Sequence, residues 1–443
     1  MRVFWAHPAR AVTLGFVGLV LLGTTLLLLP VSRAPGAPAD LLVAAFTTVS
    51  ATCVTGLITV DTASYWTPFG QVVILALIQI GGFGVMTLAT LLAMAVRGKL
   101  RLRSTLAAQA DSHSQRLGEV RSVIRSMLLI LVVVELVVAV LLAARFRWGY
   151  GYDVGTAVWH GVFHSISAFN NAGFALYQDS AMGFVGDLLV IGPICLALVI
   201  GGLGYPVLRE LLHRVPHARW SVHTRLTVWG TAALMLLGTA LFWWFESRAG
   251  GTLTHLGPGG QFVGAVGGGL FPRTAGFNSI DYGVASDETL AVTTVLMFIG
   301  GGSAGTAGGV KITTFLILAF VIWSEIRGEP DVVIGRRRIS SSTQRQALSV
   351  ALLAVGLVVV STIYLMSRTE GARPTDLLFE TVSAFATVGL STGLTAALPW
   401  DAQLLLMLLM FLGRVGPITV AAALALNTRH RHYRLPEERP IVG

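Results

Sequence analysis

Four short segments share one pattern of small and hydroxyl-bearing residues leading to a glycine: SATCVTGL at 50–57, SAFNNAGF at 167–174, LFPRTAGF at 270–277 and SAFATVGL at 383–390. Such turns offer backbone oxygen. A ring of carbonyls can replace the hydration shell of a monovalent cation without any fixed charge. Glycine permits the positive φ angles that aim successive carbonyls at one axis. A full charge at the same place would bind a cation too tightly to let it leave. The candidate ligands are the carbonyl-bearing triplets Val54, Thr55 and Gly56; Asn171, Ala172 and Gly173; Thr274, Ala275 and Gly276; Thr387, Val388 and Gly389.

Aligned on those glycines, the chain repeats itself. Ten residues upstream stand Phe46, Phe163, Val266 and Phe379, and six upstream stand Ser50, Ser167, Leu270 and Ser383. Some 24 to 28 residues downstream comes a second glycine cluster: GGFG at 81–84, GGLG at 201–204, GGGSAG at 300–305 and GRVG at 413–416. Such a period marks a repeat architecture, with units expected at 1–97, 98–214, 215–340 and 341–443. Each unit reads as a long apolar helix, a short half-buried helix, the turn and a second long helix. The short segments, about 40–51, 156–169, 258–271 and 376–386, are too short to cross a hydrocarbon core of roughly 30 Å and read as re-entrant pore helices. Irregular backbone is tolerated at membrane depth where it lines a water-filled cavity or lies buried in protein. The expected fold is therefore an all-α polytopic membrane protein: eight spanning helices and four re-entrant pore helices about a pseudo-fourfold axis. Close packing through small residues is the plainer account of the downstream glycines. It leaves the four matching turns unexplained.

The composition agrees. The 443 residues are 54% hydrophobic and 12% charged, against about 25% charged in soluble proteins. Charge-free windows at 11–32, 62–96, 188–208, 226–245, 289–310 and 346–367 are each long enough to span a bilayer. The window at 11–32 is longer than the core of a cleaved leader and is expected to be retained. The net charge of +9 is unevenly placed. The inter-repeat loops and both termini hold 22 Lys/Arg against 8 Asp/Glu, and the opposite loops hold 7 against 12. That bias predicts the cell membrane, with both termini cytoplasmic, and removes the need for a nucleic-acid partner. Cys53 and Cys195 lie in or beside apolar segments and imply no disulfide framework. No cluster of titratable groups suggests an enzyme. All repeats start from the basic side, unlike the inverted repeats of many carriers.

The segments TCVTGL, NNAGF, RTAGFN and TVGLSTG resemble the four filter sequences of the Trk/Ktr/HKT superfamily of potassium transporters, over almost the whole chain and in order. Eight spans without an extra amino-terminal pair, and the ending RLPEERPIVG, are similar to Ktr-type membrane subunits. The resemblance implies one filter glycine per repeat: Gly56, Gly173, Gly276 and Gly389. Plant relatives with serine at the first position are associated with sodium, so Gly56 implies potassium preference, with sodium permeation or coupling as the alternative. It also implies an intramembrane gate loop in the third repeat, here Gly302, Ser303, Ala304, Gly305, Thr306, Ala307, Gly308 and Gly309, followed by Lys311. Arg414 matches a family arginine facing that loop. It further implies a homodimer on a cytoplasmic nucleotide-binding ring, nucleotide acting only through that partner. The basic run GRRRISSSTQR at 335–345 suits such docking, or attraction to anionic membrane lipid.

Other residues keep two readings. Lys311 is functional by default in an apolar span, or snorkels to the interface. Glu135 couples an ion or makes an interhelical hydrogen bond, the plainer option. His160 and His164, four apart without a third ligand, favour packing over metal binding. Residues 305–311 lack the adjacent Gly-Lys of a phosphate loop. Asp61, Asp179 and Asp281 concentrate cations at the mouth or form turns. Arg273 is expected to pair with an acid such as Glu380.

Overall fold

The computed structural model describes residues 8–102 and 112–426, with side chains over 13–90 and 120–416. Among these the chain is mostly helical. In order come α1 (Pro8–Leu28), α2 (Leu41–Thr52), α3 (Thr62–Tyr65), α4 (Pro68–Leu102), α5 (Ser112–Gly149), α6 (Val154–Phe169), α7 (Leu188–Leu203) and α8 (Tyr205–Leu212). The second half runs α9 (Val222–Glu246), α10 (Pro258–Leu270), α11 (Asp287–Phe298), α12 (Ile312–Arg327), α13 (Ser341–Arg368), α14 (Pro374–Phe385) and α15 (Trp400–Leu426). The succession of long helix, short helix and turn occurs four times; the helix after the turn is long in the first and fourth cases and divided in the second (α7, α8) and third (α11, α12). The carboxy-terminal tail 433–443 lies outside the described residues.

The short helices α2, α6, α10 and α14 have 12, 16, 13 and 12 residues, within two residues of the sequence expectation at each end. At about 1.5 Å per residue they cannot cross a bilayer. Their starts are set locally. Asp40 accepts from Leu42 N at 2.8 Å and Asp153 from Thr156 N at 2.9 Å, satisfying amides that have no intrahelical partner. Pro258 and Pro374 open the other two, where a missing N–H costs nothing.

Packing sorts the long helices. The largest core joins Leu377, Phe379 and Val382 of α14 to Phe46, Tyr282, Leu406 and Met410. Leu129, Leu136 and Val140 on α5, and Leu352, Val360 and Ile363 on α13, stand exposed. So many exposed apolar side chains on helices of this length suit a hydrocarbon surround. Among the described residues, four helices are long and apolar enough to cross a membrane: Pro68–Thr90, Val120–Gly149, Val222–Glu246 and Ser341–Arg368. Counting α7 with α8 makes five.

The structure departs from the sequence reading at 188–208. The straight span expected there is broken at Gly204, α7 and α8 meeting at 104°. The cause is another chain segment: a Cβ on Gly204 would lie 2.5 Å from Ser303 O. The basic loop also contains an unexpected two-stranded hairpin, Val333–Ile334 against Arg337–Arg338, closed through Gly335 at φ 63°.

Candidate functional site

Each short helix ends where its turn begins, bringing the negative end of a helix dipole towards the turns. The turn backbones share one conformation. Val54, Asn171, Thr274 and Thr387 have φ of 56°, 61°, 72° and 49°, and the glycines two residues later have 94°, 70°, 71° and 97°. Non-glycine residues rarely adopt such angles. Here all four fall at one register position. Left-handed residues separated by an ordinary one let successive carbonyls face the same side.

The turns close a ring. A Cβ on Gly56 would overlap Ala172 O, and one on Gly173 would lie 2.9 Å from Ala275 O. One on Gly276 would overlap Val388 O, and one on Gly389 would overlap Thr55 O. Each glycine therefore abuts the carbonyl preceding the next glycine, first to second to third to fourth and back to first.

The turn amides point backward. Thr55 N, Ala172 N and Val388 N donate to Ser50 O, Ser167 O and Ser383 O, each at 2.8 Å. Gly56 N and Gly389 N donate to the hydroxyls of Ser50 and Ser383 at 3.1 Å. In the third repeat, where Leu270 replaces serine, Ala275 N reaches Phe271 O at 3.0 Å. Among the described residues, none of the twelve carbonyls of the triplets accepts a hydrogen bond. Buried carbonyls are almost always paired. Twelve unpaired carbonyls in a closed ring offer oxygen atoms of the kind that can ligate a monovalent cation.

The downstream glycines earn their place by packing. A Cβ on Gly81, Gly201 or Gly413 would overlap Thr52 O, Phe169 O or Phe385 O, the carbonyl four residues before the ring glycine of the same repeat. Gly81→Val should therefore overpack by about 1–3 kcal/mol, read as a lower midpoint in a thermal scan of purified protein.

The glycine-rich loop 299–311 lies against the ring. Gly302 N donates to Gly202 O at 2.8 Å and Thr306 N to Gly201 O at 3.1 Å, while Tyr205 N donates to Ala304 O at 3.3 Å. The break at Gly204 leaves α7 carbonyls without helical partners, and the loop supplies the missing donors. Thr306 Oγ1 sits 3.2 Å from Phe169 O and 3.2 Å from the Asn171 side chain. Turned with its nitrogen towards Phe169 O, Leu198 O and Thr306 Oγ1, the Asn171 amide accepts from Thr274 Oγ1 at 3.1 Å. A Cβ on Gly308 would overlap Thr387 Oγ1.

Two cations hold the loop's 302–309 segment. Lys311 Nζ donates to Ala307 O, and Arg414, 3% exposed, donates through Nη1 to Thr306 O. Among the described residues, Arg414 Nε and Nη2 have no partner.

Arg273 corrects the sequence reading. Its Nη2 donates to Gly300 O at 3.1 Å, and Glu380 is instead surrounded by Ser391, Thr392 and Thr395. The uncharged hydroxyls nearer Glu380 satisfy it without desolvating a second charge. Glu135 hydrogen-bonds Gln79 Nε2 and Asn170 Nδ2, both at 3.2 Å. His160 and His164 join a packed aromatic group with Phe146 and Tyr177. Asp61 caps α3 through Ser64 N at 3.0 Å, and Asp281 accepts from Gly283 N at 2.8 Å, both as turn formers. Cys53 and Cys195 are buried free thiols.

Fold and site together define a multi-pass membrane protein built from four like units around a ring of turns. A family model described as "TrkH: Cation transport protein" matches residues 16–429, and the chain belongs to that family. The family is one of transport rather than catalysis. The chain is 37% identical over 436 residues to the "Ktr system potassium uptake protein B" of Bacillus subtilis (strain 168), covering 98% of this chain and 97% of that one. It is 35% identical over 455 residues to the "Potassium/sodium uptake protein NtpJ" of Enterococcus hirae, covering 98% and 97%. Among solved structures, the potassium transporter TrkH of Vibrio parahaemolyticus has the same fold, with a TM-score of 0.68, 18% identity, and coverage of 92% of this chain and 83% of that one.

Proposed function

We propose that this chain is the ion-conducting membrane subunit of a potassium uptake system. Potassium passes through a selectivity filter made by the four turns, and the loop 302–309, with Lys311 and Arg414, is the gate below it. The observation that carries this reading is the closed ring of twelve unpartnered carbonyls. The eight spans are then α1, α4, α5, α7 with α8, α9, α11 with α12, α13 and α15, and both termini are cytoplasmic. Uptake of potassium and sodium, compared directly in proteoliposomes, tests the function; absence of potassium flux from folded protein would sink it. Sodium permeation or coupling is the second reading, favoured by the dual ion named for the Enterococcus relative.

The gate needs a sensor, and short loops supply none. The chain is proposed to work as a homodimer on a cytoplasmic nucleotide-binding subunit, with the hairpin of Arg336, Arg337 and Arg338, all exposed, as an electrostatic docking surface. Changing these three arginines to glutamate should abolish co-purification with the regulatory subunit, as should removal of residues 433–443. Docking that survives both changes, or a monomer under full nucleotide control, removes this assignment.

A further inference from the structure

We propose that Glu380 and His164 are positioning residues that set ion discrimination by bracing the outer ends of two opposite filter turns, an inference that rests on the filter reading above. Both stand nine residues before their ring glycine, and both hold the amide three residues after it. Glu380, fully buried on α14, accepts from Thr392 N at 2.9 Å, Ser391 Oγ at 2.6 Å and Thr392 Oγ1 at 3.2 Å through one oxygen. It accepts from Thr395 Oγ1 at 2.5 Å through the other. His164, 3% exposed on α6, has Nδ1 2.7 Å from His160 O. A carbonyl only accepts, so Nδ1 carries the proton and Nε2 is left to accept from Leu176 N at 3.2 Å.

The other two turns lack this brace. In the first repeat the equivalent pair is Thr47 and Thr59, and neither hydroxyl has a partner among the described residues. In the third the pair is Gly267 and Ser279. A Cβ on Gly267 would lie 3.5 Å from Ser279 Cβ, and the Ser279 hydroxyl is likewise unpartnered. The ring order places the second and fourth turns opposite each other. At this position, three residues beyond the ring glycine, one diagonal of the ring is tied to its pore helices by side chains and the other is not.

Discrimination against the smaller sodium ion requires that the carbonyls resist closing in on it. The backward amide bonds differ between turns but not by diagonal: the Ser50 and Ser383 hydroxyls take the Gly56 and Gly389 amides of the first and fourth turns, which are neighbours in the ring. The brace acts on the segment leaving each turn. Glu380 also fixes Ser391, whose carbonyl accepts from Asn278 Nδ2 of the third turn at 3.3 Å, which carries the restraint to the neighbouring turn.

The test uses the full-length chain in cells without other potassium uptake, measuring potassium uptake and its inhibition by sodium. Glu380→Ala and His164→Phe each leave a buried amide without an acceptor, and each should lower potassium-over-sodium discrimination about tenfold. Glu380→Gln and His164→Gln retain an acceptor and should restore most of it, which a general loss of fold would not allow. Gly56→Ser in the same assay is the control. If Gly56→Ser shifts the ratio while folded Glu380→Ala and His164→Phe leave it unchanged, the brace is overturned and the filter stands. If Gly56→Ser has no effect, the filter reading itself fails. Should Glu380→Ala not fold, His164→Phe with its glutamine rescue decides.

Discussion

Gly56→Ser is expected to lower discrimination of potassium over sodium by about tenfold or more, with folded protein retained. Gly56 combines φ of 94° with a neighbour that leaves no room: the added Cβ would overlap Ala172 O and lie 3.1 Å from Gly173 Cα. Neither obstacle is a flexible side chain. Relief must come from moving the first turn against the second. Forcing extra atoms into a packed site costs about 1–3 kcal/mol, and each 1.4 kcal/mol corresponds to about tenfold in an equilibrium. On the proposed filter reading that strain falls where carbonyl spacing decides which ion fits, so selectivity should suffer before fold. The added hydroxyl also offers an oxygen ligand that suits a smaller cation better than the ring does. Uptake of the two ions by cells lacking other potassium transporters reads the ratio. An unchanged ratio counts against the ring as the selectivity filter.

Much of this was legible in the sequence because a repeat states its own register. Four glycines at matched offsets located the turns, and short apolar segments before them located α2, α6, α10 and α14. The ring order could not be read, because spacing along a chain does not say which turns touch. The Gly204 break was equally hidden. GGLGYP at 201–206 carries both a glycine and a proline, a breaker signal in its own right. Its charge-free surroundings read as one continuous span. What breaks α7 is the third-repeat loop, about a hundred residues away, whose amides take the carbonyls of Gly201 and Gly202. Arg273 misled for a different reason. Opposite charges in apolar surroundings suggest a pair, yet each found nearer neutral partners, carbonyl for one and hydroxyls for the other. The alternating left-handed backbone at Val54, Asn171, Thr274 and Thr387 had no sequence signal beyond register, since valine and threonine seldom adopt it.

Deleting Ser303–Gly308 is expected to raise potassium flux about tenfold or more, since a switching element has states separated by only a few kcal/mol. The loop forms no helix of its own. Its order comes from borrowed partners: two α7 carbonyls, the Asn171 side chain and Phe169 O, and the two cations Lys311 and Arg414. A segment held this way can be released without unfolding the bundle, which is what a gate requires. Arg414→Ala should raise flux by less than the deletion, through two routes. It removes the bond to Thr306 O, and it removes a fixed positive charge. A unit charge about 8 Å from another repels it by about 2 kcal/mol at an effective dielectric near 20. Arg414→Lys separates the routes, because it keeps the charge and loses the planar fork. A lysine variant near the alanine variant assigns the effect to the loop contact. One near the parent assigns it to charge. A deletion that leaves folded protein with normal or lower flux ends the gate assignment, whatever Arg414 does. Loss of flux in Arg414→Ala alone, with faster flux in the deletion, would instead make that arginine a support for the open path rather than a latch on the closed one.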